Sequence, residues 1–80
     1  MKTAIVTGAS GKIGGAIAKL LSINGFLVFG QYNENKNGID DINSELENLG
    51  VVNRVYPIKF DMASEEQIKS AFSEIESKTS

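Results

Sequence analysis

Short continuous apolar blocks alternate along this chain with stretches in which apolar residues recur at helical spacing. Ala4-Ile5-Val6 is the first block, and it runs into a turn carrying Gly8, Gly11 and Gly14. Ile13, Ile17, Leu20 and Leu21 follow at i, i+4, i+7 and i+8, which predicts a helix that buries this stripe. Asn24-Gly25 supplies its stop. Phe26 to Phe29 is uninterrupted apolar sequence and suits a strand buried on both faces in the middle of a parallel sheet. The polar, asparagine-rich stretch from Gln31 to Gly38 reads as a loop.

Ile39, Ile42, Leu46 and Leu49 predict a second helix from about residue 39 to 49, with Gly50 as its stop. A third strand region spans Val51 to Phe60. Pro57 lies inside it, and because proline has no N–H to give a neighbour, this strand is expected at the edge of the sheet. Ser64-Glu65-Glu66-Gln67 has the spacing of a capping box, and Ile68, Phe72 and Ile75 continue as a third amphipathic helix.

Strands alternating with helices imply a parallel sheet. With strand three at an edge and the glycine turn after strand one, the expected order is 3-2-1. The fold class is therefore α/β, a three-layer Rossmann-type half-fold of βαβαβα, forming one domain over residues 1–80. In a complete fold of that type strand one is interior. Here its outer edge has no neighbour, and an open apolar edge invites pairing, so self-association as a homo-oligomer is expected.

Composition narrows the function mainly by exclusion. Eighty residues is close to the size at which a single core leaves little margin of stability. A net charge of −2 argues against nucleic acid as a partner, since a phosphate backbone calls for a basic face. Cysteine and histidine are absent, which removes disulfides and makes a zinc site improbable. No apolar run is long enough to span a bilayer, and Met1-Lys2-Thr3 leads straight into the first strand, so the expected compartment is the cytoplasm.

The chemistry concentrates in Thr7-Gly8-Ala9-Ser10-Gly11-Lys12-Ile13-Gly14. Strand, glycine turn and helix in that order let a backbone approach a phosphate with a helix N-terminus aimed at it. Gly8 would permit the tight turn, Gly11 would leave room for the ligand, and Gly14 would allow close packing of helix on strand. Thr7 would hold the turn by a side-chain hydrogen bond. Ser10, Gly11, Lys12 and Ile13 would offer backbone N–H groups, and Lys12 either adds a charge toward a phosphate or stands solvated in the first turn. A Walker-type loop is excluded, because Gly8 is too near Gly11-Lys12 and Ile13 occupies the place of the magnesium-binding hydroxyl. The Gly-x-Gly of the commoner dinucleotide fingerprint is missing as well, as Gly8-Ala9-Ser10 has no second glycine.

Together with Asp61-Met62-Ala63-Ser64, this segment resembles the N-terminus of a short-chain dehydrogenase/reductase. The spacing to Gln31-Tyr32-Asn33 and the length up to Asp61 look closest to the classical branch, especially its 3-oxoacyl-[acyl-carrier-protein] reductase-like members. Two departures stand out. Classical members usually carry the middle glycine at the position of Lys12, whereas here it falls one residue earlier, at Gly11, as in the extended branch. Family members also continue into an Asn-Asn-Ala-Gly motif, a catalytic serine and Tyr-x-x-x-Lys, none of which is in this chain. It looks like the first third of an enzyme and by itself is expected to be inactive.

The resemblance implies NAD(P)-dependent oxidoreduction of a carbonyl or alcohol, with cofactor contacts at Gly8, Ser10, Gly11, Lys12, Ile13, Gly14, Tyr32, Asn33, Asp61 and Met62. Asp61 resembles the family aspartate that accepts a hydrogen bond from the adenine amino group. NAD-preferring members place an acidic residue on the ribose 2′-OH at the end of strand two. The matching position is Tyr32, flanked by Gln31 and Asn33, so NADP(H) is favoured over NAD, with Glu34 the one nearby carboxylate that would reverse this. Neither Tyr32 nor Tyr56 is followed four residues on by lysine, so no catalytic residue is assigned. Asp40, Asp41, Glu45, Glu47, Glu65 and Glu66 read as solvated helix faces, with dipole benefit at the helix starts. The reading from another class is a non-catalytic module that binds a nucleotide or associates through the strand-one edge.

Overall fold

The computed structural model describes residues 2–79, and Met1 and Ser80 of the sequence readings lie outside the described residues. Six elements alternate as expected: β1 (Thr3–Val6), α1 (Lys12–Ile23), β2 (Leu27–Tyr32), α2 (Asn37–Asn48), β3 (Val55–Lys59) and α3 (Glu65–Thr79). The sheet is parallel with β2 in the middle. Ile5 and Tyr56 flank Phe29 in register, and Pro57 stands opposite Gly30 on the edge strand, where its missing N–H leaves no neighbour unpaired.

Alternation along the strands divides the interior into two cores. Val6, Val28 and Val55 face α1 and α2, where they pack with Ala9, Ala18, Ile39 and Leu46. Phe29, Ile58 and Phe60 face the other way, against Ala71 and Ile75 of α3. Three layers result, the Rossmann-type half-fold that the alternating pattern predicts. Val28, Phe29, Ile39, Leu46 and Val55 are sealed from solvent, and each contributes about 1.5–3 kcal/mol by its burial.

Several elements differ from the sequence reading. The segment read as a loop from Gln31 to Gly38 shrinks to residues 33–36, because β2 runs on through Gln31 and Tyr32 and α2 begins at Asn37. Polar composition misled there, since Gln31 is buried and keeps its amide fully bonded. The strand proposed over 51–60 begins only at Val55. Before it, the Arg54 guanidinium donates to the carbonyls of Val51, Val52 and Asn53 and holds a compact bend.

The largest difference is in α1. Its buried residues are Gly15, Ala18 and Ser22, while Ile13, Ile17 and Leu20 of the expected core stripe are exposed, Ile13 at 80%. Leu21 alone of that stripe packs against the core, half-buried. Close approach is the cause. A Cβ at Gly15 would stand 2.6 Å from Ile42 Cδ1 of α2 and 3.1 Å from the Ala9 carbonyl oxygen, so only a small residue fits where this helix meets α2 and the glycine turn. The apolar stripe turns away from both the sheet and α2. In α3, likewise, Ile75 is buried but Phe72 is about half exposed.

Candidate functional site

The chain leaves β1 through Gly8, whose φ of 64° is a left-handed conformation that glycine adopts without strain. Gly8 reverses the backbone so that the Gly11 N–H donates to the Gly8 carbonyl at 3.0 Å. The Gly15 N–H then donates to the Gly11 carbonyl at 2.8 Å, starting the helical ladder. The amides of Lys12, Ile13 and Gly14 stand in the first turn ahead of that bond, where a helix has no carbonyl of its own for them. Together with the dipole of a 12-residue helix they make a site for an anion.

Three close approaches hold this turn in place. A Cβ on Gly14 would overlap the Gly8 carbonyl oxygen and lie 2.7 Å from its carbon. A Cβ on Gly30 of β2 would come within 2.9 Å of the Ala9 methyl, so the glycine there lets fully buried Ala9 sink onto the sheet. Gly38 brings the start of α2 against Ser10, where a Cβ would be 2.8 Å from the Ser10 carbonyl carbon. The Ser10 hydroxyl donates to the Asn35 carbonyl at 2.7 Å, tying the loop after β2 to the turn.

Gln31 is the residue that composition hid. The Gly8 N–H donates to its Oε1 at 2.7 Å, and its Nε2 donates to the Phe60 carbonyl at 2.7 Å and to Asn33 Oδ1 at 3.1 Å. Its main-chain carbonyl accepts the Ala9 N–H at 2.9 Å. One buried amide thus joins the exits of all three strands. The sequence assigned the turn-holding bond to Thr7, which is exposed in the structure. The long amide on the central strand reaches Gly8 instead. The signal for it lay in a polar residue directly after the apolar run Phe26–Gly30.

Beside the turn, at the ends of β2 and β3, a pocket of about 350 Å³ is lined by Asn33, Glu34, Lys59, Asp61 and Gln67. Asp61 heads the loop into α3. Its carbonyl accepts the Ser64 N–H at 3.0 Å, its Oδ1 accepts the Ala63 N–H at 2.9 Å, and its own N–H donates to Gln67 Oε1 at 2.8 Å. The capping box is therefore half realised. Ser64 Oγ accepts the Gln67 N–H at 3.2 Å, but the Gln67 side chain goes to Asp61, because the Ser64 N–H is already taken.

The predicted site residues do not all come together. Ser10, Gly11 and Lys12 line a groove between α1 and α2, closed at its far end by the Lys19–Glu45 ion pair at 3.5 Å. Asn33 and Asp61 meet in the pocket just described, together with Glu34. Tyr32 packs instead, half-buried, against the core beneath α1 and α2. Met62 lies on the α3 side in a small apolar cleft with Ile5, Thr7, Phe60, Ile68 and Phe72. Ile13, fully on the surface of the first helical turn, is apart from both.

A parallel sheet with a glycine turn and a helix N-terminus at the carboxyl end of its first strand is the arrangement of a Rossmann-type α/β half-fold. Residues 2–80 match the short chain dehydrogenase family, and the chain belongs to it. Human dehydrogenase/reductase SDR family member 11 is 38% identical over 79 residues, which are 99% of this chain and 30% of that protein. The chicken protein of the same name is 36% identical over 74 residues, 92% of this chain and 29% of its own length. Among solved structures, a dehydrogenase/reductase from Sinorhizobium meliloti 1021 superposes with a TM-score of 0.78 at 38% identity, over 91% of this chain and 28% of that one. A blue fluorescent protein from a metagenomic library, in complex with NADPH, gives 0.73 at 33% identity over 91% of this chain and 30% of its own. The chain thus spans about 30% of the length of the relatives it matches. No helix among the described residues is long and apolar enough to cross a membrane.

Proposed function

We propose that this chain is the dinucleotide-binding N-terminal part of an NAD(P)-dependent oxidoreductase that reduces a carbonyl, of the 3-oxoacyl reductase type, and that it works in the cytoplasm. One observation carries the reading. The free amides at the start of α1 and the Asn33–Asp61 pocket lie at the same end of adjacent strands, as the two ends of an adenosine diphosphate moiety require. Lys12, Ile13 and Gly14 would receive the pyrophosphate. Asn33 would meet the ribose, and Asp61 would accept a hydrogen bond from the adenine amino group. When bound, the nicotinamide supplies the hydride for the reduction.

NADP(H) is the favoured cofactor in this reading. Residues Gln31, Tyr32 and Asn33 at the end of β2 are neutral, and Lys59 adds a cation to the pocket beside Glu34. Support also comes from the relative solved in complex with NADPH. Titration of the chain with NADPH and NADH, followed by nicotinamide fluorescence, tests the proposal. Saturable binding of both, tighter for NADPH, is the expected result. Binding of neither would overturn it.

A further inference from the structure

The hydrogen bonds of Gln31 have a fixed polarity that propagates into the pocket. A main-chain N–H can only donate and a main-chain carbonyl can only accept. Gly8 therefore requires Gln31 Oε1 on its side, and Phe60 requires Nε2 on the other. The side chain is 3% exposed, so no water offers an alternative arrangement. The second hydrogen of Nε2 then points at Asn33, which must answer with its oxygen, as it does at 3.1 Å. With Oδ1 engaged by Gln31, the donor groups left to Asn33, which lines the pocket, are its two Nδ2 hydrogens.

We infer that Gln31 is a positioning residue for cofactor choice: it holds Asn33 so that an amide donor, and not an acceptor, faces the 2′-position of the bound ribose. This rests on the dinucleotide reading and adds to it the group that discriminates. A 2′-phosphate has only acceptor oxygens and is charged, so it gains from a fixed donor. A 2′-hydroxyl both donates and accepts, and it adapts to either orientation of the amide. Hydrogen bonds to charged groups are the stronger class, so the oriented donor benefits NADPH more than NADH. The neutral side chain of Asn33 thereby does work that its residue type alone, equally an acceptor, does not specify.

The test uses Gln31→Glu in the full chain. It keeps an acceptor for Gly8 but replaces Nε2, the donor to both Phe60 and Asn33, with an oxygen, which costs stability at the Phe60 carbonyl and draws Asn33 Nδ2 inward, leaving its Oδ1 for the ligand. Affinity for NADPH is expected to fall about tenfold, with NADH changed less than about twofold. In an Asn33→Ala background the same substitution is expected to leave the NADPH:NADH ratio unchanged, because the effect passes through Asn33. Equal losses for both cofactors, or a ratio change that persists without Asn33, would overturn the inference in favour of a purely structural Gln31. If Gln31→Glu does not fold, side-chain amide NMR of the unaltered chain decides the matter. The Asn33 Nδ2 resonance should shift strongly with NADPH and weakly with NADH, and equal shifts would refute the assignment. Failure of the unaltered chain to bind either dinucleotide would instead remove the proposed function itself.

Discussion

The Cα of Gly14, in the first turn of α1, lies directly over the carbonyl of Gly8, so close that the smallest side chain at position 14 would overlap the Gly8 oxygen. These two glycines are required for different reasons. Gly8 has open space around its Cα but a φ of 64°. Gly14 has no left-handed backbone and no space. Gly8→Ala is therefore expected to cost about 1–2 kcal/mol through backbone strain. Gly14→Ala is expected to cost about 2–4 kcal/mol, because the backbone of the turn must move. Urea unfolding of the two variants measures the difference. Dinucleotide affinity should fall further for Gly14→Ala, which displaces the amides at the start of α1.

Asn43 of α2 clasps the first residue of β3 by both its N–H and its carbonyl. Its Nδ2 donates to the Val55 carbonyl at 2.9 Å, and its Oδ1 accepts the Val55 N–H at 2.8 Å. Asn43→Ala leaves both groups half-buried without these partners and should destabilise by about 1–3 kcal/mol. Faster hydrogen exchange at the Val55 amide, with the amides of β1 changed only in proportion to global stability, would show that the loss is local to this clasp.

Ser22 presents the opposite case. Its hydroxyl is buried under α1 with no hydrogen-bond partner among the described residues. Ser22→Ala removes a desolvated polar group at almost no cost in volume and should stabilise the chain by about 1 kcal/mol. Thermal melting reads this directly, and a lowered melting temperature would contradict it.

Among the described residues β1 pairs only with β2, and Ile5 of that strand and Ile13, Ile17 and Leu20 of α1 are exposed. We propose that the 80-residue chain self-associates through this side. Sedimentation should show concentration-dependent species larger than 8.6 kDa, and an Ile5→Lys change should reduce them. A monodisperse monomer at high concentration would refute self-association. The Lys69–Glu65 pair, exposed on both sides, and the Lys19–Glu45 pair, whose lysine is partly buried, should matter little to any of these measurements.

Much of this was legible in the residues. Element order, strand order and the three layers followed from the switching of apolar period, from Pro57 and from the place of the glycine turn. Two features were not legible, for one shared reason. Periodicity ranks positions by hydrophobicity, whereas tight packing ranks them by size. It selected Ile13, Ile17 and Leu20 for the core of α1 where Gly15, Ala18 and Ser22 are the residues small enough to lie there. Composition erred similarly at Gln31. It counted a polar side chain as loop, although a buried amide with every bond satisfied is as much at home inside as a leucine.

The sequence by itself determined the elements, the parallel sheet order and the place of the glycine turn between β1 and α1, because these depend on local spacing and on backbone conformations available to few residues. Only the tertiary structure decided which face of α1 is buried, and that Asn33 and Asp61 share one pocket. It alone assigned to Gln31 the bonds that join Gly8, Phe60 and Asn33. Those outcomes depend on distances between residues remote in the chain, and on the directions of donors and acceptors that no spacing along it encodes.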